Sequence, residues 1–195
     1  MNPTPPVHHV VESERLRLVH LDPDFLRAFL AGRIQEAEDI IEAKLAREFN
    51  VARWVLEHRL QMIEHDPSQQ PWLLRVIVLK ENSEVIGDVG FHQKPGSKDL
   101  EKYCDFGLEM GYGIDPEFRR QGYATEAVKA MMRWAHQEHG VDSFFLSTSP
   151  ENTPSLNLIQ KLGFRMVGSQ MDEIDGLELV FRGDAGTDLV WLREE

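Results

Sequence analysis

Ile114-Asp-Pro-Glu-Phe-Arg119-Arg120-Gln121-Gly122-Tyr123-Ala124 is the stretch on which the reading of this chain turns. An extended run, Asp105–Ile114, meets a break at Asp115-Pro116, and a short basic loop centred on glycine follows. Beyond it Ala124, Ala127, Val128, Met131 and Ala135 repeat at helical spacing, which predicts a helix over Gly122–His139. A strand–loop–helix joint of this kind collects unpaired backbone N–H groups at one point, with the positive end of the helix dipole behind them. Gly122 lets a ligand approach the backbone, and Arg119 and Arg120 add positive charge. Together with Gln121, Tyr123 and Ala124 they describe a seat for a phosphate-bearing ligand.

Working outward, Glu14–His20 alternates apolar and polar residues and predicts an edge-type strand. Asp22-Pro23 reads as a helix start, and Phe25, Phe29, Ala37, Ile41, Leu45, Leu56, Leu60 and Ile63 predict two or three helices up to about Glu64, with a break near Asn50. Trp72–Leu79 and Glu84–His92 form an expected hairpin turned at Glu81-Asn82-Ser83, and Gln93–Lys102 an expected loop. Ser143–Ser149 predicts a strand, Thr153–Leu162 a helix and Phe164–Glu173 a strand. Glu178–Phe181 and Asp188–Leu192 are expected to supply the last pairings. Helices between strands in the second half, and hairpins elsewhere, predict an α/β fold of α+β type with a mixed sheet.

Composition narrows the classes. The chain has 195 residues, 42% hydrophobic and 28% charged, which suits one globular domain over residues 1–195 with a flexible stretch at 1–13. No run reaches the roughly 20 apolar residues of a membrane span, and Met1–Val11 lacks the pattern of a secretory signal. A single cysteine, Cys104, fits a reducing cytoplasm, and a net charge of −12 argues against a nucleic-acid or anionic-membrane partner. His136 and His139 read as a solvated pair on a polar helix face, and no metal site is expected.

A second motif lies about 30 residues on: Asn152-Thr-Pro-Ser155-Leu-Asn-Leu-Ile159-Gln-Lys-Leu162-Gly163-Phe164. Its asparagine cap and its glycine at the end describe a short capped helix. Arg-x-x-Gly-x-Ala followed at this spacing by Asn-x-x-Ser and Lys-x-Gly-Phe resembles the GNAT superfamily of N-acetyltransferases. Ser-Glu-Arg-Leu-Arg-Leu near the start and Glu109-Met-Gly-Tyr112 are most similar to the ribosomal-protein-alanine N-acetyltransferase branch. The resemblance implies a mixed, mostly antiparallel sheet flanked by helices and splayed between Asp105–Ile114 and Ser143–Ser149. It implies acetyl-CoA as co-substrate, with its pyrophosphate on Arg119–Ala124 and its pantetheine arm paired to the backbone of Tyr112, Gly113 and Ile114. The branch commonly dimerises, so a homodimer is among the expected assemblies.

In a regular strand Asp105, Gly107, Glu109, Gly111 and Gly113 share one face. Three glycines beside one carboxylate predict a groove walled by Glu109, or a strand that a bulge bends away from its neighbour. Amide formation from a thioester needs a neutral amine, a stabilised oxyanion and a proton for the leaving thiolate. Glu109 is the candidate base, acting through water, or else a group that orients the substrate. A backbone N–H near Ile114 is the candidate oxyanion donor. Family members commonly carry a tyrosine acid seven residues after the motif's asparagine, where this chain has Ile159. Ser155 is the nearest replacement and Tyr112 a second; Asn152 is expected to hold the cofactor arm or a water. Trp54, His58 and Trp72 are candidates for the acceptor pocket, core packing being the ordinary role of the tryptophans. The expected acceptor is an amine, on a protein N-terminus or a small molecule. The alternative is an acyl-CoA-binding module without catalysis.

Overall fold

The structure, a computed structural model, describes residues 10–46, 49, 51–96, 100–172, 174 and 176–192. Eight strands form one open sheet in the order β1-β2-β3-β4-β5-β6-β8-β7. They are β1 (Val11–Glu12), β2 (Leu16–His20), β3 (Arg75–Leu79), β4 (Val85–Phe91), β5 (Gly107–Ile114), β6 (Ser143–Thr148), β7 (Arg165–Asp172) and β8 (Gly176–Asp184). The β5–β6 pair is parallel and every other pairing is antiparallel. The mixed, mostly antiparallel sheet is as expected. β1 falls inside the stretch expected to be a flexible tail; residues 1–9 lie outside the described ones.

Each face of the sheet carries its own core. On one, α1 (Pro23–Leu30), α2 (Ile34–Ile41) and α3 (Arg53–His65) cover Val19, Val76, Val78 and Val85 with Phe25, Leu26, Ile41, Leu56 and Ile63. On the other, α4 (Tyr123–His139) and α5 (Thr153–Leu162) cover Ile77, Ile86, Phe91, Leu108, Met110 and Leu146. Strand β3 is therefore buried on both faces, as its unbroken apolar run Val76–Leu79 requires. Asp22 caps α1 by accepting from the Phe25 N–H at 2.8 Å, with Pro23 in the first turn. Helix α2 stops at Glu42, whose φ of 50° is left-handed, so Leu45 lies outside it; Asn50 lies outside the described residues. Among the described residues, no helix is long and apolar enough to cross a membrane.

Two expected strands are corrected. Trp72 closes a 3-10 turn, Pro67–Trp72, that starts where the Asp66 carboxylate accepts from the Ser68 N–H; β3 begins only at Arg75. Asp188–Leu192 adds no pairing: Val190–Leu192 is a 3-10 turn, and Trp191 and Leu192 are buried in the core. The Trp191 indole N–H donates to the Leu162 carbonyl at 2.9 Å, so this apolar run seals the end of α5. Strand β8 itself runs longer than Glu178–Phe181.

Candidate active site

The joint between β5 and α4 is built as its residues require. Gly122 stands before the helix at φ 87°, and Arg120 is also left-handed at φ 65°. No side chain caps α4, and its first intrahelical bond runs from the Glu126 N–H to the Gly122 carbonyl. The N–H groups of Tyr123, Ala124 and Thr125 therefore lack helical acceptors. Arg120, Gln121 and Gly122 are exposed. Arg119 turns back, its Nε donating to the Ile114 carbonyl at 2.8 Å. Arg15 supplies a further cation that motif reading missed. It is held 2.7 Å from Glu126, donates to the Gln121 carbonyl at 3.1 Å and lies over the Tyr123 ring at 4.4 Å.

From this joint a slot opens along β5. Strands β5 and β6 pair only at Gly107↔Ser143, Leu108↔Phe144 and Glu109↔Phe145, although both continue. The β4–β5 register is unbroken from Gly87↔Ile114 to Phe91↔Met110, so the splay needs no bulge on that side. The Glu109 carbonyl accepts from the His92 N–H and the Asp115 N–H donates to Ile86, which assigns the odd residues of β5 to β4. By alternation Met110, Tyr112 and Ile114 turn their backbone groups toward the open side, whereas Gly113 faces β4. The slot holds about 300 Å³ and is lined by Met110, Tyr112, Ser147, Asn152, Ser155 and Ile159 among others. The Asn152 Oδ1 accepts from the Ser155 N–H at 3.3 Å, capping α5. Ile159 is 1% exposed and belongs to the core. The Tyr112 hydroxyl is buried and makes no hydrogen bond of good geometry. Burial pushes its pKa up against a weaker pull from Ser155, so the phenol stays protonated.

The opposite face of β5 borders a second cavity, of about 490 Å³. Glu109 is not alone there. Strand β4 and the residue after it lay two side chains across the β5 glycines: a Cβ on Gly113 would come to 2.9 Å of the Asp88 carboxylate, and one on Gly111 to 3.1 Å of His92 Nε2. The glycines thus make room for β4 side chains rather than leave a bare groove. Glu109 Oε1 accepts from the Ser147 hydroxyl at 2.5 Å, and Oε2 lies 3.7 Å from His92 Nδ1. Burial raises the Glu109 pKa, but His92, Ser147 and Lys102 outweigh it and hold the carboxyl below its usual range. Asp88 goes the other way, pushed up to about 7 by burial and by the charge of Asp115.

Helix α3 roofs this cavity with Trp54, His58 and Arg59. Trp54 is 55% exposed and so is not core packing, whereas Trp72 packs against Phe91 and Trp134 away from the cavity. Lys94 is bound by Asp66 at 2.6 Å, an ion pair that lowers the Asp66 pKa to about 2. His136 and His139 do more than face solvent: His136 lies 3.0 Å from Asp142, and the exposed His139 sets its ring at an angle against Trp72 and edge-on to Trp134. Burial raises the Cys104 pKa, the reverse of what a nucleophilic thiol needs. Among the described residues no His, Cys, Asp and Glu group could hold a metal ion.

A slot and a cavity flank one strand that leads to a helix N-terminus, and residues 15–165 match the Acetyltransferase (GNAT) domain. The chain belongs to the GNAT family. It is 30% identical over 99 residues to the uncharacterized N-acetyltransferase p20 of Bacillus licheniformis, covering 49% of this chain and 50% of that protein. It is 25% identical over 146 residues to an N-alpha-acetyltransferase of Sulfurisphaera tokodaii, covering 66% of this chain and 87% of that one. The matched region spans about half the length of several of these curated relatives. A ribosomal-protein-S5-alanine acetyltransferase from Vibrio fischeri shares the fold with a TM-score of 0.60 at 17% identity, over 92% of this chain and 98% of that one.

Chain topology explains what sequence reading missed. Asp88 comes from β4, His92 from just after it and Arg59 from α3, and no motif surrounds them. The available signal is that Glu84–His92 and Asp105–Ile114 are consecutive strands. Pairing them antiparallel across the intervening loop sets His92 opposite Glu109.

Proposed function

We propose that this GNAT chain carries the acetyl group of acetyl-CoA directly to a primary amine. The observation that carries the reading is the placement of slot and cavity on either side of β5, beside Glu109 where β6 departs. The pyrophosphate would sit on Arg119–Ala124, where exposed N–H groups, an uncapped helix start and a left-handed glycine suit it. The pantetheine arm would run down the slot as an added strand on Met110, Tyr112 and Ile114. Its thioester would then reach the pinch at Glu109, with an N–H of this row as oxyanion donor.

The acceptor would enter from the cavity under α3. An ionised Glu109 attracts an ammonium group and fixes its approach. Its lowered pKa makes it a weak base, which favours acceptors that are easily deprotonated. An α-amine near pKa 7.7–8.0 meets that condition better than a lysine amine near 10.4. A polypeptide N-terminus is therefore the favoured acceptor, in line with the names of the Sulfurisphaera tokodaii relative and the Vibrio fischeri fold neighbour. For the departing thiolate, Ser155 and Tyr112 are the candidate donors among the hydroxyls lining the slot, and Ile159 removes the helix tyrosine from consideration. Asn152 serves first as the cap that aims α5 at the slot.

The experiment is release of free CoA from acetyl-CoA against a panel of N-terminal peptides and small amines. Faster release with α-amine peptides than with lysine-like amines supports the reading. Tight acetyl-CoA binding with no release above solvent hydrolysis, for any amine, would make the chain a binding module instead.

A further inference from the structure

The proton given up by the acceptor amine needs a base that faces the cavity, and Glu109 is poorly placed to be that base. One of its oxygens is held by Ser147 and the other is turned toward the His92 ring. His92 follows directly on β4 and its N–H donates to the Glu109 carbonyl at 2.8 Å, so the two residues face each other across the ladder with side chains on one face. Its carbonyl accepts from Arg59 Nη1 at 2.9 Å, which anchors the residue to α3 as well. With Nδ1 facing the carboxylate, the other nitrogen, Nε2, lies over Gly111. Gly111 is just past the last β5–β6 pair, at the head of the slot. The side chain is 46% exposed, so a proton received there can pass to solvent.

We propose that His92 Nε2 is the atom that takes the acceptor's proton, with Glu109 as the carboxylate that positions its ring. This rests on the acetyl-transfer reading and names the base within it. The amine lone pair attacks the thioester carbon and the carbonyl π pair moves onto oxygen. The proton on nitrogen passes to Nε2. Collapse of the oxyanion breaks the C–S bond, and the thiolate takes a proton from a slot hydroxyl that water restores. The imidazolium returns its proton to solvent, so one amide and one thiol replace one amine and one thioester. The carboxylate behind Nδ1 selects the tautomer with its proton on Nδ1 and its lone pair on Nε2. At 3.7 Å the ring and the carboxylate stand within ion-pair distance.

The other charged and titratable groups bordering the cavity are His58 and Arg59 on α3, Asp88 on β4, Lys94 after it, and Asp172 on β7. Lys94 is bound by Asp66 and Ser68, and Arg59 has no carboxylate within ion-pair distance among the described residues. Among the described residues, Glu109 is the one carboxylate at ion-pair distance from the His92 ring.

The test is the pH dependence of turnover for wild type, His92→Gln, His92→Ala and Glu109→Gln, with acetyl-CoA affinity measured alongside. His92→Gln should lose about 10²–10⁴-fold in kcat with nearly unchanged acetyl-CoA affinity, and the acidic limb of the profile should vanish. Added imidazole should restore part of the His92→Ala rate. Glu109→Gln should keep that limb while kcat falls, since the ring has lost the carboxylate that orients it. Wild-type rates and limb in both His92 variants, with the limb lost in Glu109→Gln, would overturn the assignment and return the role to Glu109. That outcome leaves acetyl transfer standing. An inert wild type would defeat the parent reading and this one together.

Discussion

Replacing Asp88 by asparagine should stabilise the protein, and by an amount that depends on pH. Burial and the neighbouring Asp115 lift the Asp88 pKa from 3.8 to about 7. Between those values the unfolded chain has released the proton while the folded chain still holds it. The folded state therefore loses stability as pH rises from about 4 to about 7, and the loss is constant above. At about 1.4 kcal/mol per pH unit this amounts to about 4 kcal/mol. The figure is an upper limit, because the carboxyl borders the water-accessible cavity and solvent relieves part of the cost. Urea unfolding of wild type and Asp88→Asn from pH 4.5 to 8.5 measures it. The variant's advantage should be smallest at the acid end, about 1 kcal/mol at pH 4.5, grow through pH 5–7 and level off. An advantage that does not change with pH would refute the reasoning, and with it the claim that the cavity keeps a protonated carboxyl beside Gly113.

Gly122→Val should weaken acetyl-CoA binding by at least about tenfold, roughly 1.4 kcal/mol, because φ 87° strains a β-branched residue and its methyls block the backbone; calorimetry on a folded variant showing unchanged affinity would remove the pyrophosphate from this loop. Ser155→Ala keeps the N–H that bonds Asn152, so stability and cofactor affinity should hold while turnover falls; equal turnover would leave Tyr112 or water as the proton source. Ile159→Tyr should not restore the family's usual acid: the site is 1% exposed, and overpacking should cost about 1–3 kcal/mol, read as a lower Tm without faster turnover.

The parts of this fold that were legible in the sequence are those set by local chemistry. Asp22-Pro23 starts a helix because both residues act within one turn of themselves, and Asp115-Pro116 with Gly122 ends a strand and opens a helix in the same way. The splay of β5 from β6 was expected from a bulge among the β5 glycines; it is present, but the unbroken β4–β5 register shows no bulge on that side. Val190-Trp191-Leu192 failed because three apolar residues suit a strand and a buried 3-10 turn equally, and the Leu162 carbonyl decided between them. Glu109 was found because it stands among glycines. Its partners were hidden because their meaning depends on register: one residue's slip between β4 and β5 would send His92 and Asp88 to the opposite face. Gly111 and Gly113 carried the trace of those partners, since a missing side chain marks something lying close, but the sequence does not say whether that is ligand or protein.

The central claim is direct transfer between a cofactor on one side of β5 and an amine on the other. Initial-rate kinetics with acetyl-CoA and an N-terminal peptide varied together, with mass spectrometry of peptide and protein, tests it most directly. The account predicts intersecting double-reciprocal lines, one acetyl group on the peptide α-amine, and an unmodified protein when acetyl-CoA is present alone. Parallel lines with a stable acetyl-protein, or no acetylated peptide under saturating acetyl-CoA, would contradict it.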